Sequence, residues 1–199
     1  MTSASIHDQK VIDNRKVNMD DALCQLLPLG QSLSMAVGYF YLGGYQLIKS
    51  EFNNIAGKNP IRVIMGNRTD YRTAGVIQEG VEQYEAYVNS ESNSVAPIEA
   101  IRNQLTSVEP ESEESHAAYN LRDLITYGRL KIKVYTGASD YFHAKVYLIG
   151  REVIDDGYAI IGSSNFSRGG FTGNSELNVL TKDSYPNLRK WFDELWSSV

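Results

Sequence analysis

The chain has 199 residues, of which 42% are hydrophobic and 22% charged, as expected for one soluble domain with a sizeable core. No stretch approaches the roughly 18 uninterrupted apolar residues of a membrane span, and the polar first ten residues lack a signal-peptide core. The single cysteine, Cys24, excludes an internal disulfide, so we expect a protein of the reducing cytoplasm without membrane association. The net charge of −5 argues against a broad nucleic-acid-coating surface but leaves room for a local basic cleft.

The first part of the chain alternates between helical and strand-like patterns. Apolar residues at helical spacing behind Asn18 predict a helix that Pro28 and Gly30 end. The run that follows Pro60 is short and fully apolar, which is typical of a buried strand. The predicted elements are, in chain order, a helix over 18–27, a strand over 34–41, a helix over 45–52, a strand over 61–65 and a helix over 71–88.

Residues 89–114 have a different composition from the rest of the chain. This segment is rich in Ser, Asn and Glu and contains Pro97 and Pro110. Such a composition cannot bury much apolar surface, so we expect a flexible acidic insert with a short helix over 98–105.

The last part of the chain is dominated by strand patterns. The dipeptide Asp156-Gly157 is a hairpin turn signal between two of these strands. The predicted elements are a helix over 117–127, strands over 130–135, 142–149, 158–162 and 177–180, and an amphipathic helix over 186–196. Together they predict an α/β fold in which a mixed β-sheet is flanked by helices on both faces, with residues 1–199 forming a single domain.

A group of polar residues in the predicted strand region can carry chemistry. His143 and Lys145 are two residues apart, so on a strand their side chains point to the same face. A nucleophile or acid and a fixed positive charge would then lie side by side. Glu176 follows downstream and would orient the imidazole.

The segment between these residues contributes small and neutral polar groups. Gly162, Ser163 and Ser164 would let the backbone approach a bound group closely, and Asn165 adds a neutral donor. The whole set suits attack on a phosphate ester without a metal. A zinc site is not supported, because the few histidines and the single cysteine are widely spaced.

This pattern resembles the signature of the phospholipase D superfamily, His-x-Lys followed by Gly-Ser-x-Asn and a downstream Glu. One position departs: the family usually has an Asp five residues after the Lys, and Gly150 occupies that place. Asp155 is a candidate replacement, although a role in the hairpin turn explains it more simply. The matching residues are His143, Lys145, Gly162, Ser163, Asn165 and Glu176.

The resemblance implies a mechanism and an assembly. In this superfamily two His-x-Lys units meet at an approximate two-fold axis, where one His attacks phosphorus and the other protonates the leaving oxygen. The chain carries one such unit, so we expect a homodimer with the active site across its axis. By the same resemblance, catalysis is expected to require no metal and no other cofactor.

Three functions remain open at this point. The first is a DNA-cleaving phosphodiesterase, because single-motif members resemble small bacterial endonucleases and restriction nucleases. The second is a non-catalytic DNA-binding or dimerisation module, and the third is a phospholipase or other small-phosphodiester hydrolase. Asp13-Asn14-Arg15, the helix after it and the run over 37–44 also resemble the nuclease-like domain at the N-terminus of large bacterial helicases and restriction proteins. If the chain is one domain of such a protein, the resemblance implies a helicase motor beyond residue 199.

Aromatic and basic residues in the first half are further candidates for nucleic-acid contacts. Tyr39, Phe40 and Tyr41 offer rings on which bases stack, but core packing is the simpler role for one face of that strand. Arg68 and Arg72 are candidates for phosphate contacts, and solvent exposure is the simpler expectation for both.

Overall fold

A computed structural model describes residues 10–90, 112–136 and 141–199 of the chain. The strands are β1 (Val11–Asp13), β2 (Ser32–Tyr39), β3 (Ile61–Arg68), β4 (Leu130–Val134), β5 (Lys145–Gly150), β6 (Gly157–Gly162) and β7 (Leu177–Thr181). The α-helices are α1 (Met19–Leu26), α2 (Leu42–Leu47), α3 (Lys49–Lys58), α4 (Tyr71–Ser90), α5 (Glu113–Thr126) and α6 (Tyr185–Ser198). A 3₁₀ turn at Leu27–Leu29 and a π-helical turn at Gly169–Gly173 complete the regular elements.

The seven strands form one mixed sheet in the order β1-β7-β6-β5-β2-β3-β4. The neighbours β2, β3 and β4 run parallel, whereas β5, β6, β7 and β1 pair antiparallel. In this order β5 and β2 are neighbours at the centre of the sheet, and Val37 lies opposite Lys145. This pairing brings the end of β2 beside the start of β5.

Apolar layers cover both faces of the sheet. On one face, strand residues such as Met35 and Tyr147 pack with α1, α2, α3 and α5 in the larger core. On the other face, Val146 and Leu148 pack against Tyr185 and Phe192 of α6 in a smaller core. The expected α/β class, a mixed sheet with helices on both faces, is confirmed.

Several element boundaries differ from the sequence-based expectation. The helix expected over 45–52 is two helices, α2 and α3, which meet at Ile48. Strand β1 was not predicted, because three residues are too few to show a periodicity. Asp156-Gly157 is not at the centre of the hairpin turn: the positive φ of 63° belongs to Asp155, and Gly157 begins β6.

Most of the proposed insert over 89–114, including its expected helix over 98–105, lies outside the described residues. The described part of the chain contains no helix that is both long and apolar enough to cross a membrane.

Candidate active site

The ends of β2, β5 and β6 bring two of the motif side chains to one place, beside Gly38. A Cβ atom built on Gly38 would lie 3.0 Å from Asn165 Oδ1 and 3.4 Å from Lys145 Nζ. The Asn165 side chain is fixed there because its Oδ1 accepts a 3.0 Å hydrogen bond from the backbone N–H of Tyr39. The lysine ammonium and the Asn165 amide oxygen therefore lie close to one point, on the side of the backbone where Gly38 carries no side chain.

Lys145 is a buried cation with few partners. The residue is 5% exposed, and its Nζ donates one hydrogen bond, 2.8 Å long, to the backbone carbonyl of His143. Among the described residues, no carboxylate comes within ion-pair distance of it. Burial lowers the pKa of Lys145 below its usual 10.5, and the more distant charge of Glu176 opposes that shift.

His143 lies next to Lys145 but outside the strand. The expected strand over 142–149 begins at Lys145, so His143 belongs to the segment that leads into β5. Its side chain is exposed, and its ring centroid is 5.5 Å from that of Tyr141. The imidazole is therefore accessible to a substrate, and the lysine beside it is held by packing.

Ser164 does not face the site as the sequence suggested. It is fully buried, its backbone N–H donates to Asn178 Oδ1 at 3.2 Å, and its hydroxyl accepts from Asn178 Nδ2 at 2.8 Å. The hydrogen bonds between Ser164 and Asn178 connect the segment that follows β6 with strand β7. Sequence reasoning missed Asn178, since no spacing rule predicts a partner 14 residues away.

Gly162 and Ser163 also serve the β6–β7 junction. A side chain at Gly162 would collide with the Asn178 side chain and with the Leu177 carbonyl, so strand packing is what requires glycine there. Ser163 is exposed, and its Oγ accepts a 3.1 Å hydrogen bond from the Leu177 N–H. Both residues position the turn that carries Asn165.

Glu176 has a different partner from the one expected. Its Oε1 accepts a 3.2 Å hydrogen bond from Asn174 Nδ2, and no hydrogen bond joins it to His143 in the described part of the chain. It influences the site through its charge, which raises the pKa of Lys145. Orientation of the imidazole by Glu176 stays a prediction.

The departure at Gly150 has a structural explanation. A Cβ there would lie 2.5 Å from Ser32 Oγ and 2.6 Å from the Tyr185 hydroxyl oxygen, so an aspartate would require both side chains to move. Tyr185 and Ser32 fill the space that a longer side chain would need. Asp155 does not replace the missing carboxylate, because it lies in the exposed turn and pairs with Arg189.

The aromatic and basic residues near the site are buried or exposed as the sequence predicted. Phe40 is fully buried in the larger core and stacks on Phe166 at 4.5 Å between centroids. Tyr39 and Tyr41 are half-buried outside both cores. Arg68 and Arg72 are exposed at the surface.

The fold and the motif together define a phospholipase D-like protein. A family model described as "Cardiolipin synthase, PLD-like domain" matches residues 29–196. The chain belongs to this family, since the match covers most of its length. A search of curated proteins gives no significant match.

Three solved structures have a similar fold. Nuc from Salmonella typhimurium, a phospholipase D family member, has 12% identity and a TM-score of 0.54 over 94% of this chain and 92% of its own. Polyphosphate kinase from Porphyromonas gingivalis has 14% identity and a TM-score of 0.53 over 94% of this chain and 26% of its own. NucT from Helicobacter pylori has 17% identity and a TM-score of 0.49 over 94% of both chains.

Proposed function

We propose that this protein is a metal-independent phosphodiesterase that cleaves DNA through a phosphohistidine, with an active site formed across a homodimer. The observation that carries the proposal is the buried Lys145 ammonium, which has one hydrogen bond and no carboxylate partner among the described residues. An ammonium has three donors, so two N–H groups stay available for an anion. Burial of a cation without a counter-ion costs free energy, and a bound phosphate would supply the missing negative charge and hydrogen-bond acceptors.

The residues around Lys145 have distinct roles in this scheme. Nitrogen of the exposed His143 imidazole attacks phosphorus, while Lys145 and the Asn165 amide stabilise the charge on the non-bridging oxygens. Gly38 leaves the position beside Lys145 Nζ free of a side chain. Ser163, Gly162 and the buried Ser164 act by holding the turn in place.

In this scheme the His143 of a second chain supplies the proton that the leaving group needs. When the histidine of one chain forms the N–P bond, the P–O bond to the leaving group breaks, and the departing alkoxide takes a proton from the imidazolium of the other chain. The neutral imidazole then removes a proton from water, whose oxygen attacks phosphorus and releases the first histidine. The sequence holds a single His-x-Lys unit, so the second one comes from a second copy of this chain.

The test is hydrolysis of bis(p-nitrophenyl) phosphate and of supercoiled plasmid in excess EDTA. We expect the wild type to cleave both and His143→Ala to cleave neither. His116→Ala is the matched control, because His116 is an exposed histidine on α5 and should leave activity intact. Cleavage that needs an added divalent metal, or that survives in His143→Ala, would overturn the proposal.

Two further measurements, plasmid binding and phospholipid hydrolysis, separate the remaining functions. Plasmid binding without hydrolysis of either substrate would indicate a DNA-binding or dimerisation module, alone or attached to a helicase. Hydrolysis of the small diester and of phospholipid headgroups, but not of plasmid, would indicate a lipid-directed enzyme.

A further inference from the structure

Three tyrosines form a surface cluster beside the candidate active site. Tyr39 and Tyr41 stack with ring centroids 5.8 Å apart and planes inclined by 24°. The Tyr141 ring lies 6.4 Å from that of Tyr39, and its hydroxyl donates a hydrogen bond to the Tyr39 hydroxyl. We call Tyr39, Tyr41 and Tyr141 the tyrosine platform.

The platform lies where the chain leaves strand β2. Val37 and Phe40 are three residues apart, yet both lie in the larger core. Strand β2 ends at Tyr39, and Phe40 forms an isolated bridge with Phe166 instead of continuing the ladder with β3. Phe40 is buried there, whereas Tyr39 and Tyr41 are half-exposed.

The platform reaches the catalytic histidine at one end. Tyr141 is 48% exposed, and its ring is 5.5 Å from the His143 ring. The guanidinium carbon of Arg68 lies 5.5 Å from the Tyr141 ring centroid. An exposed π-surface and a fixed positive charge therefore border the atom that would attack phosphorus.

A basic groove continues from the other end of the platform. Tyr41 lines a groove of about 370 Å³ that also contains Arg72 and Arg168. Asp70 lies in the same groove, but its carboxylate accepts hydrogen bonds from the backbone N–H groups of Arg72 and Thr73 at the start of α4. Ring surfaces and cations thus follow one another along the surface that leads away from His143.

We propose that the tyrosine platform is a base-stacking subsite that holds an unpaired nucleobase next to the scissile phosphate, so that the preferred substrate is a single-stranded polynucleotide and supercoiled plasmid is cut where its strands are locally unpaired. The inference rests on the proposed function and names its substrate class. Each nucleobase has a π-face that stacks on a tyrosine ring whatever the sequence, and the flanking phosphates suit Arg68 and the groove cations. In a duplex the bases are paired and stacked on each other, so they cannot reach the rings.

The test measures binding by fluorescence anisotropy with a labelled single-stranded oligothymidylate and an abasic oligonucleotide of the same length. The two probes carry the same charge and differ only in their bases. All proteins carry His143→Ala so that cleavage does not disturb the measurement. We expect tighter binding of the base-bearing probe, and weaker binding of a duplex of the same sequence.

Changes at Tyr141 give the residue-level test. Tyr141→Ala should weaken binding of the oligothymidylate by roughly 5- to 150-fold and leave binding of the abasic probe unchanged, because only stacking is lost. Tyr141→Phe keeps the ring and should bind like the parent. Tyr127→Ala is the matched control: Tyr127 is also 48% exposed but follows α5, three residues before β4 begins at Leu130, at the other end of the strands.

Salt dependence separates stacking from charge. The slope of log affinity against log salt concentration reports how many phosphates the protein contacts. Arg68→Gln should reduce this slope by the amount that about one phosphate contact contributes, whereas Tyr141→Ala should leave it unchanged. Equal affinity for the base-bearing and abasic probes, or an unchanged affinity in Tyr141→Ala, would overturn the subsite. Failure of the proposed function would give a different result. The wild type would then hydrolyse neither diester but would still bind the base-bearing probe more tightly than the abasic one.

Discussion

At the scale of single residues, Gly38 leaves free the position that a side chain would occupy beside Lys145 Nζ and Asn165 Oδ1. We expect Gly38→Ala to reduce kcat/KM for the small diester by about 10- to 100-fold, because the new methyl group would lie 3.0 Å from Asn165 Oδ1 and displace the amide. The loss of unfolding free energy in urea should stay below about 2 kcal/mol.

Gly57→Ala is the control for the Gly38 substitution. Gly57 lies in α3, and a Cβ there would meet nothing within 4 Å. The substitution should stabilise the helix by about 0.4–1 kcal/mol and keep full activity. Equal activities of the two variants would show that the space beside Gly38 does not matter for catalysis.

The charge of Glu176 should be visible in the pH profile. Lys145 acts as a cation, so activity should fall at high pH as it loses its proton, at a pKa that burial holds below 10.5. Because the Glu176 charge raises that pKa, Glu176→Gln should move the alkaline limb of kcat/KM to lower pH. Glu194→Gln, on the exposed part of α6, should leave the limb in place, and an unmoved limb in Glu176→Gln would contradict the assignment.

At the scale of elements, the junction of β6 and β7 depends on one buried amide. Removal of the Asn178 side chain leaves the Ser164 N–H and hydroxyl without partners inside the protein. We expect Asn178→Ala to lower the free energy of unfolding by about 2–4 kcal/mol, measured in urea. Asn187→Ala, at an exposed position of α6, should change it by less than about 0.5 kcal/mol.

The same junction shows what the sequence can and cannot predict. Local strand-like patterns in the sequence predict β5, β6 and β7, and the motif predicts that His143, Lys145 and Asn165 lie near one another. The burial of Ser164 and the pairing of Phe40 with Phe166 depend on partners that are distant in sequence. Local periodicity contains no information on such contacts, so both emerged only from the structure.

At the scale of the whole molecule, the proposed dimer predicts how mixed subunits behave. If each active site needs two His143 side chains, incubation of the wild type with an equal amount of His143→Ala should halve the activity per wild-type chain once subunits exchange. Dilution of the wild type with buffer to the same total volume is the control. Activity per wild-type chain that does not change upon mixing would indicate that one chain suffices.

The charge of Lys145, which has no ion-pair partner among the described residues, also links folding to the ions in solution. A cation whose pKa falls on folding destabilises the folded protein at every pH below its pKa in the folded state. This cost disappears as the pH rises past the pKa of the unfolded state, 10.5. Inorganic phosphate that binds only the folded protein should therefore raise the melting temperature by mass action. Lys145→Met should melt higher than the wild type in phosphate-free buffer and respond little to added phosphate, so the residue that favours catalysis makes the resting protein less stable.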